Sequence, residues 1–270
     1  MNPKISILTP TYNRKTALAE LLEALLSQTF QDFEIIIVND AGEEVESICA
    51  LYPEIKSKVI NLKENHYHVY ARNRALEQAE GEFIMFMDDD DLPLPTHLER
   101  MVDAIQSADL VYSDVEIVDY EENPGRRIPK KRFLFAYDSD LAAMRKFSTY
   151  VPSGSMYRKS IHKRLGEFDE YVRNYWDWDF FLRVASSYRV KRVPVASVLY
   201  EFSSSGNNQS KDLNKMRKYL DRLAHKHNLG ELPTKNFFVL LEEPEIKKRE
   251  AQTERIWDGK ILQSRFYKSL

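Results

Sequence analysis

The chain has 270 residues, 43% hydrophobic and 30% charged, with a formal net charge of −3. This is the composition of a folded, soluble chain, sized for one large domain or a core with appended helices, and its mildly acidic balance argues against a general nucleic-acid binder. A single cysteine, Cys49, excludes an internal disulfide and a cysteine metal cage, and no run approaches the roughly 18 apolar residues that span a bilayer.

The opening MNPKISILTP runs straight into a strand pattern rather than a secretory signal, so a cytoplasmic location is expected, with peripheral contact at the inner membrane face left open. Residues 4–9 are a short β-favouring run. Leu18, Leu21, Leu22, Leu25 and Leu26 then recur at helical spacing. Residues 33–38 (FEIIIV) form the continuous apolar run of a strand covered on both faces. Residues 43–51 read as a helix with Cys49 as core filler, 58–62 as a strand, 69–79 as a helix broken at Gly81, and 83–87 (FIMFM) as a fourth buried strand. Leu98, Met101, Val102 and Ile105 mark another helical face, and residues 110–118 are extended. Residues 121–132, with Pro124, Gly125 and Pro129, read as a loop. Residues 151–157 read as a strand, 177–186 as a helix, 190–200 as extended chain and 203–210 as a polar loop. From residue 211 the chain is charged and largely helical.

Alternating strands and helices imply an α/β fold of βαβ units, with a mostly parallel sheet and right-handed connections. In open α/β sheets, ligands bind beyond the carboxyl ends of the strands. That rule selects residues 9–14, 39–42 and 88–91. The last is Asp88-Asp89-Asp90-Asp91, four carboxylates that repel one another unless a cation is near. One reading is an acidic cap for the helix near Pro95. The reading favoured by position is a site for a hard divalent ion, Mg2+ or Mn2+, which takes one or two carboxylates plus substrate phosphates. A second acidic pair, Asp177 and Asp179, opens a helix within YWDWDF. Those two either complement the helix dipole, or supply a general base partly desolvated beside indole rings. The residues alone leave both open.

Several segments together resemble family 2 glycosyltransferases of the GT-A fold. Pro10-Thr11-Tyr12-Asn13-Arg14 resembles the opening motif, Ile37-Val38-Asn39-Asp40 the second (usually VDDGS) and Ala71-Arg72-Asn73 a third. Asp88 to Asp91 with Pro95 resembles the D-x-D segment. Leu165-Gly166-Glu167-Phe168-Asp169, then Trp176-Asp177-Trp178-Asp179 and Leu182-Arg183, resembles G-x-F-D…E-D-W-D-x-x-L-R. The match runs from about residue 4 to 205. It implies a GT-A-type mixed sheet flanked by helices, with a nucleotide-binding half at 1–119, an acceptor half at 120–210 and a helical extension at 211–270.

The resemblance also implies roles. Tyr12 would stack on the nucleobase, in a pocket shaped by Pro10 and Thr11. Asp40 would bond the base, Arg72 the nucleotide, and Asp88 the ribose or sugar. Asp90 would ligate the metal between two phosphates, and Asp91 and Asp179 would meet the donor sugar or the acceptor. Asp177 falls at the catalytic base. The metal would neutralise charge on the departing diphosphate, while Asp177 takes the acceptor's proton and the anomeric centre inverts. UDP-sugars are the family's commonest donors, with GDP- and dTDP-sugars also used, and the acceptor would be a glycan or lipid-linked chain in polysaccharide biosynthesis. Three positions depart from the pattern: Asn39 for an aspartate, Trp176 for a common glutamate, and Ser203 near the place of a metal-assisting histidine. His66 and His68 read as solvated loop histidines.

Ser153-Gly154-Ser155 reads as a plain turn, with lining of the acceptor side as the alternative. In the tail, Leu213, Met216, Leu220 and Leu223, and then Ile256, Trp257, Ile261, Leu262, Phe266 and Tyr267, suggest helices packed on the core or on a second copy, as in a homodimer. The weaker alternative is a basic helix lying on an anionic membrane. Among rival functions, a sugar-phosphate nucleotidyltransferase would need a glycine-rich loop after the first strand, and residues 9–14 hold no glycine. A non-catalytic nucleotide-sugar or glycan binding module stays open. A haloacid-dehalogenase-type phosphatase would carry its D-x-D after the first strand, not the fourth.

Overall fold

Two patterns set the architecture: continuous apolar runs that become strands buried on both faces, and helices whose apolar residues meet them from each side. The computed structural model describes residues 2–124, 126–202, 213–234 and 237–269. The strands are β1 (Ile5–Thr11), β2 (Phe33–Asn39), β3 (Ser57–Asn61), β4 (Phe83–Phe86), β5 (Leu92–Pro93), β6 (Leu110–Asn123), β7 (Arg126–Phe135), β8 (Met156–Arg158), β9 (Val190–Glu201) and β10 (Glu254–Arg255). The helices are α1 (Lys15–Leu26), α2 (Glu46–Cys49), α3 (Tyr67–Gln78), α4 (His97–Ile105), α5 (Leu141–Met144), α6 (His162–Leu165), α7 (Trp176–Ala185), α8 (Leu213–His227), α9 (Phe237–Leu241), α10 (Pro244–Lys247) and α11 (Arg265–Ser269).

The strands form one mixed sheet in the order β10-β9-β6-β8-β4-β1-β2-β3, with β5 on β9 and β7 on β6. β3, β2, β1 and β4 are parallel, as expected for βαβ units. β8 is wedged antiparallel between β4 and β6. The side chains of β1 and β2 alternate between two cores. Ile5, Ile7, Ile35 and Ile37 meet Leu18 and Leu22 of α1 and Leu98 of α4. Leu8, Ile36 and Val38 meet Val69 of α3 and Phe180 of α7. Each such burial is worth roughly 1.5–3 kcal/mol, and together they fix the register Ile5↔Phe33 to Thr11↔Asn39 and Leu8↔Phe86. The carboxyl ends of β1, β2 and β4 therefore lie at one edge. Cys49 is half-buried at the end of α2, and desolvation pushes its thiol up to about 11, as suits core filler.

Three expectations are corrected. Residues 121–132 are not a loop but the end of a hairpin, with β6 and β7 paired out to Asn123↔Arg126. Pro124 belongs to its turn, and Pro129, which lacks an N–H, faces Tyr120 where the ladder already slips at Asp119/Tyr120. Within residues 151–157 only Met156 and Tyr157 are strand. Before them Gly154 sits at φ 81°, and a Cβ there would come within 2.5 Å of Val198 Cγ2. The tail is less helical than expected: α8 is long, but α9 to α11 are single turns, and β10 extends the sheet beside β9. Its apolar residues Ile256, Trp257, Leu262 and Phe266 serve the core under α1 rather than a separate bundle. The expected boundary at 210/211, the loop at 203–210 and Ser203 lie outside the described residues. Among the described residues no helix is long and apolar enough to cross a membrane.

Candidate active site

The edge formed by the ends of β1, β2 and β4 is built from strained turns. Asn13 after β1, Ala41 after β2 and, beyond β3, Tyr67 at the start of α3 are non-glycine residues with φ of 55°, 63° and 68°. Such left-handed conformations persist where the surroundings over-determine them, and they cluster at functional sites. The first two turns touch: a Cβ on Gly42 would lie 2.8 Å from the Asn13 backbone nitrogen. Asn39 binds this turn by accepting from Gly42 N–H at 2.9 Å and donating to Glu43 O at 3.1 Å. An amide donates and accepts where the family's usual aspartate could only accept. Asp40 is buried, its N–H donates to Thr11 O at 2.9 Å, and its Oδ1 accepts from His66 N–H at 2.8 Å. Pro10 is half-buried within β1, and Tyr12 is 49% exposed, free to cover a flat ligand.

The acidic run after β4 divides its side chains. Asp89 turns inward, where Thr11 Oγ1 donates to it at 2.6 Å and Arg14 Nη1 lies 3.5 Å away. Asp88, Asp90 and Asp91 each bring one carboxylate oxygen within 4.8 Å of the others. Arg72, 2% exposed, pairs with Asp88, and Arg14 pairs with Asp90. Asp88 N–H donates to Ser153 Oγ at 3.1 Å, so the 153–155 turn supports the run from below. Asp91 Oδ1 accepts from Glu201 N–H at 2.7 Å, while its Oδ2 is buried without a hydrogen bond. Burial, followed by the neighbouring Asp90 charge, pushes both Asp89 and Asp91 upward. Crowded carboxylates with an unpartnered buried oxygen suit a hard cation with oxygen ligands, so Asp88, Asp90 and Asp91 are the described residues that could hold one. The family resemblance by itself implies Asp90 alone as the metal ligand.

Asp177 stands in the first turn of α7, half-buried. Burial raises its carboxyl to about 6, against the pull of backbone N–H groups at the helix start and of the Arg72 charge. Arg72 links the two acidic regions, since its guanidinium also lies 4.2 Å above the ring of Trp176. That stacking is the use this chain makes of the tryptophan that stands where a glutamate is common. Asp179 has other company. It is fully buried, accepting from Arg183 Nε at 2.8 Å and bonded to His227 Nε2 at 2.7 Å, with Lys226 Nζ also at 2.7 Å. Burial would raise it, but these bonds and charges win and hold it at about 2. Its partners tie α7 to α8, and it is not among the clustered carboxylates. His68 is likewise no solvated loop residue: burial first, then the Arg72 charge, lowers it to about 3.

Two residues of the site escaped sequence reasoning. Arg127 of β7 is buried beside the run, donating from Nη1 to Asp90 O at 2.7 Å and from Nε to Glu20 at 2.6 Å, and pairing with Glu201. Glu201 closes β9, and burial, then Asp90, raises it. Its place at the end of the last extended segment was the one available signal.

The sequence model of glycosyl transferase family 2 matches residues 6–166. A Bacillus subtilis (strain 168) protein described as uncharacterized glycosyltransferase YwdF is 59% identical over 98% of this chain and 100% of its own length. The poly(ribitol-phosphate) beta-N-acetylglucosaminyltransferase TarS of Staphylococcus aureus (strain Mu50 / ATCC 700699) is 33% identical over 48% of this chain and 23% of its own. Among solved structures, S. aureus TarS 1–349 in complex with UDP-GlcNAc matches with a TM-score of 0.66 at 23% identity, over 83% of this chain and 66% of that one. The mannosyltransferase PcManGT from Pyrobaculum calidifontis, in complex with GDP-Man and Mn2+, matches at 0.59 and 16%, over 86% and 66%. The chain belongs to glycosyl transferase family 2 and is a nucleotide-sugar-dependent glycosyltransferase of GT-A-type fold.

Proposed function

We propose that the protein transfers a sugar from a UDP-sugar to a hydroxyl of a glycan or lipid-linked acceptor, in one inverting displacement, with Mn2+ or Mg2+ at Asp88, Asp90 and Asp91. The observation that carries this reading is the juxtaposition, through Arg72, of a carboxylate cluster and a lone half-buried carboxylate poised near neutrality. Tyr12 would cover the base, with Asp40 beneath it and Pro10 and Thr11 as pocket walls. A bound divalent ion would neutralise charge on the leaving diphosphate. Asp177 accepts the acceptor hydroxyl's proton, since a base that titrates near working pH combines availability with driving force. UDP is favoured because the TarS neighbour binds UDP-GlcNAc.

The test is the thermal midpoint with UDP, GDP, dTDP and CMP, each with and without Mn2+. A ligand that binds only the folded chain raises the midpoint by mass action. The expected result is a rise that needs both UDP and Mn2+ and is lost in Asp90→Ala. A full Mn2+-dependent rise in Asp90→Ala would remove the metal assignment, and no rise with any nucleotide would remove the donor.

A further inference from the structure

A row of alternating rings and cations borders the start of α7. Tyr67 opens α3, and the Arg173 guanidinium lies 3.1 Å over its ring. Arg173 Nη1 donates to Tyr219 Oη of α8 at 3.0 Å, with its guanidinium 5.8 Å from that ring. Arg222 approaches the same ring at 5.9 Å and donates to Tyr171 O at 3.1 Å. Lys218, one residue before Tyr219, adds its charge to that phenol. The row thus crosses from the nucleotide half, through the turn that leads into Asp177, to the tail helix.

Two features of the row set it apart. Most cations near the site have an acid: Arg14, Arg72, Arg127, Arg183 and Lys226 are all ion-paired. Among the described residues Arg173, Lys218 and Arg222 have no carboxylate within ion-pair distance; the acid between them in sequence, Asp221, is taken by Arg217. The second feature is strain. Tyr67 and Arg173, which touch, are both left-handed non-glycine residues, with φ of 68° and 37°. His68 Nε2 is hydrogen-bonded to Arg173 O at 3.3 Å, which anchors the pair one helical turn before Arg72. Guanidinium planes stacked on phenols are pre-organised for oxyanions.

We propose that this row is an acceptor subsite for a chain bearing a negative charge at each repeat, which feeds a hydroxyl to Asp177. The inference rests on the transferase reading and names the acceptor's chemical class. Several cations with no acid among the described residues suit repeated charges better than a single acidic group, and Tyr67, 47% exposed, offers a ring face for the carbon skeleton between them. An anionic membrane fits less well. Leu220, Leu223 and Ala224 of α8 are already buried against Val172, Trp178 and Leu182, so this apolar face is not free to insert.

The experiment titrates the full chain, loaded with Mn2+ and the nucleoside diphosphate that stabilises it, with four probes. These are a polyol-phosphate oligomer, a polyuronate oligomer, an uncharged glycan oligomer of equal length, and vesicles of anionic lipid. One anionic oligomer should bind, more weakly as salt rises, and which one binds identifies phosphodiester or carboxylate as the source of charge. Arg173→Gln and Arg222→Gln should each weaken it about tenfold, the scale of one charge-assisted hydrogen bond, with Arg173→Lys intermediate because it keeps charge but loses the fork. The Mn2+-dependent nucleotide shift should be unchanged in all three variants, which reports that they fold. Equal binding of the uncharged glycan, binding of vesicles but neither oligomer, no oligomer binding at all, or full affinity in folded Arg173→Gln and Arg222→Gln would overturn the proposal. Those outcomes leave the transferase reading standing if the nucleotide shift persists; loss of that shift in the wild-type chain would instead sink the transferase reading itself.

Discussion

The acidic run 88–91 and the acidic start of α7 both gather carboxylates at the functional edge of the sheet, yet they dispose of the charge differently. In the run, the protein's cations are shared out: Arg72 goes to Asp88, and Arg14 to Asp90 and Asp89, the latter also held by Thr11. One oxygen each of Asp88, Asp90 and Asp91 stays clustered, and Asp91 has no ion-pair partner among the described residues, so the region as a whole stays hungry for a cation. At α7 the cations all go to one member. Asp179 takes Arg183, Lys226 and His227, while Asp177 has no ion-pair partner among the described residues and is raised by burial. Two aspartates two residues apart thus end about four pKa units from one another, about 6 against about 2. What a carboxylate can do here depends on which distant elements reach it, and its local sequence says little.

The sharpest way to break that comparison is to neutralise each member. Asp177→Asn should lower kcat by about a hundred- to ten-thousand-fold, the span of general-base contributions, with the nucleotide shift retained and the midpoint not lowered. Asp179→Asn should instead lower stability, by about 2–3 kcal/mol in denaturant titration. That is below the 3–5 kcal/mol of a fully buried broken pair, because Arg183 and Lys226 keep some solvent. A folded but inactive Asp179→Asn beside an active Asp177→Asn would exchange the two roles.

Arg127 tests the other region. It and Glu20 are only 2% and 3% exposed, so Arg127→Met should cost about 3–5 kcal/mol. It also releases the Asp90 carbonyl, so the Mn2+-dependent nucleotide shift should shrink in the same variant. A loss of stability with the shift intact would show that the hairpin only buttresses the fold and does not shape the carboxylate cluster.

The residues explain why some of this could be read in advance. The first four strands declare themselves through unbroken apolar runs, and the run 88–91 is placed by the strand it follows. Arg127 could not be found that way. It lies in a charged segment whose prolines read as a loop, and its partner Glu20 is 107 residues away in a helix chosen for its leucines. Asp177 and Asp179 were indistinguishable for the same reason, because His227, which helps to hold Asp179, is 48 residues further on. Local pattern reports which backbone forms where an apolar run is unbroken. The partner of a buried charge is set by how elements dock, and single-residue spacing carries no record of that.

The smallest effect is also the one that reads both aspartates at once. From an ordinary 3.8, Asp177 is raised to about 6, so the folded chain binds its proton more tightly than the unfolded chain does. Its contribution to stability therefore falls as pH climbs from about 4 to about 6. Asp179 is lowered from 3.8 to about 2, so it stabilises fully above about pH 4 and loses that contribution as pH falls toward 2. Asp177→Asn should gain on the wild-type chain between pH 4 and 6, by of order 1–2 kcal/mol, and Asp179→Asn should close its deficit below pH 4. Wild-type kcat should rise over the same interval in which Asp177 gives up its proton. The thermal-midpoint difference between each variant and wild type, followed across pH, measures both slopes. A flat difference for Asp177→Asn between pH 4 and 6 would mean that Asp177 is ionised there already, and then burial could not be what prepares it to accept a proton.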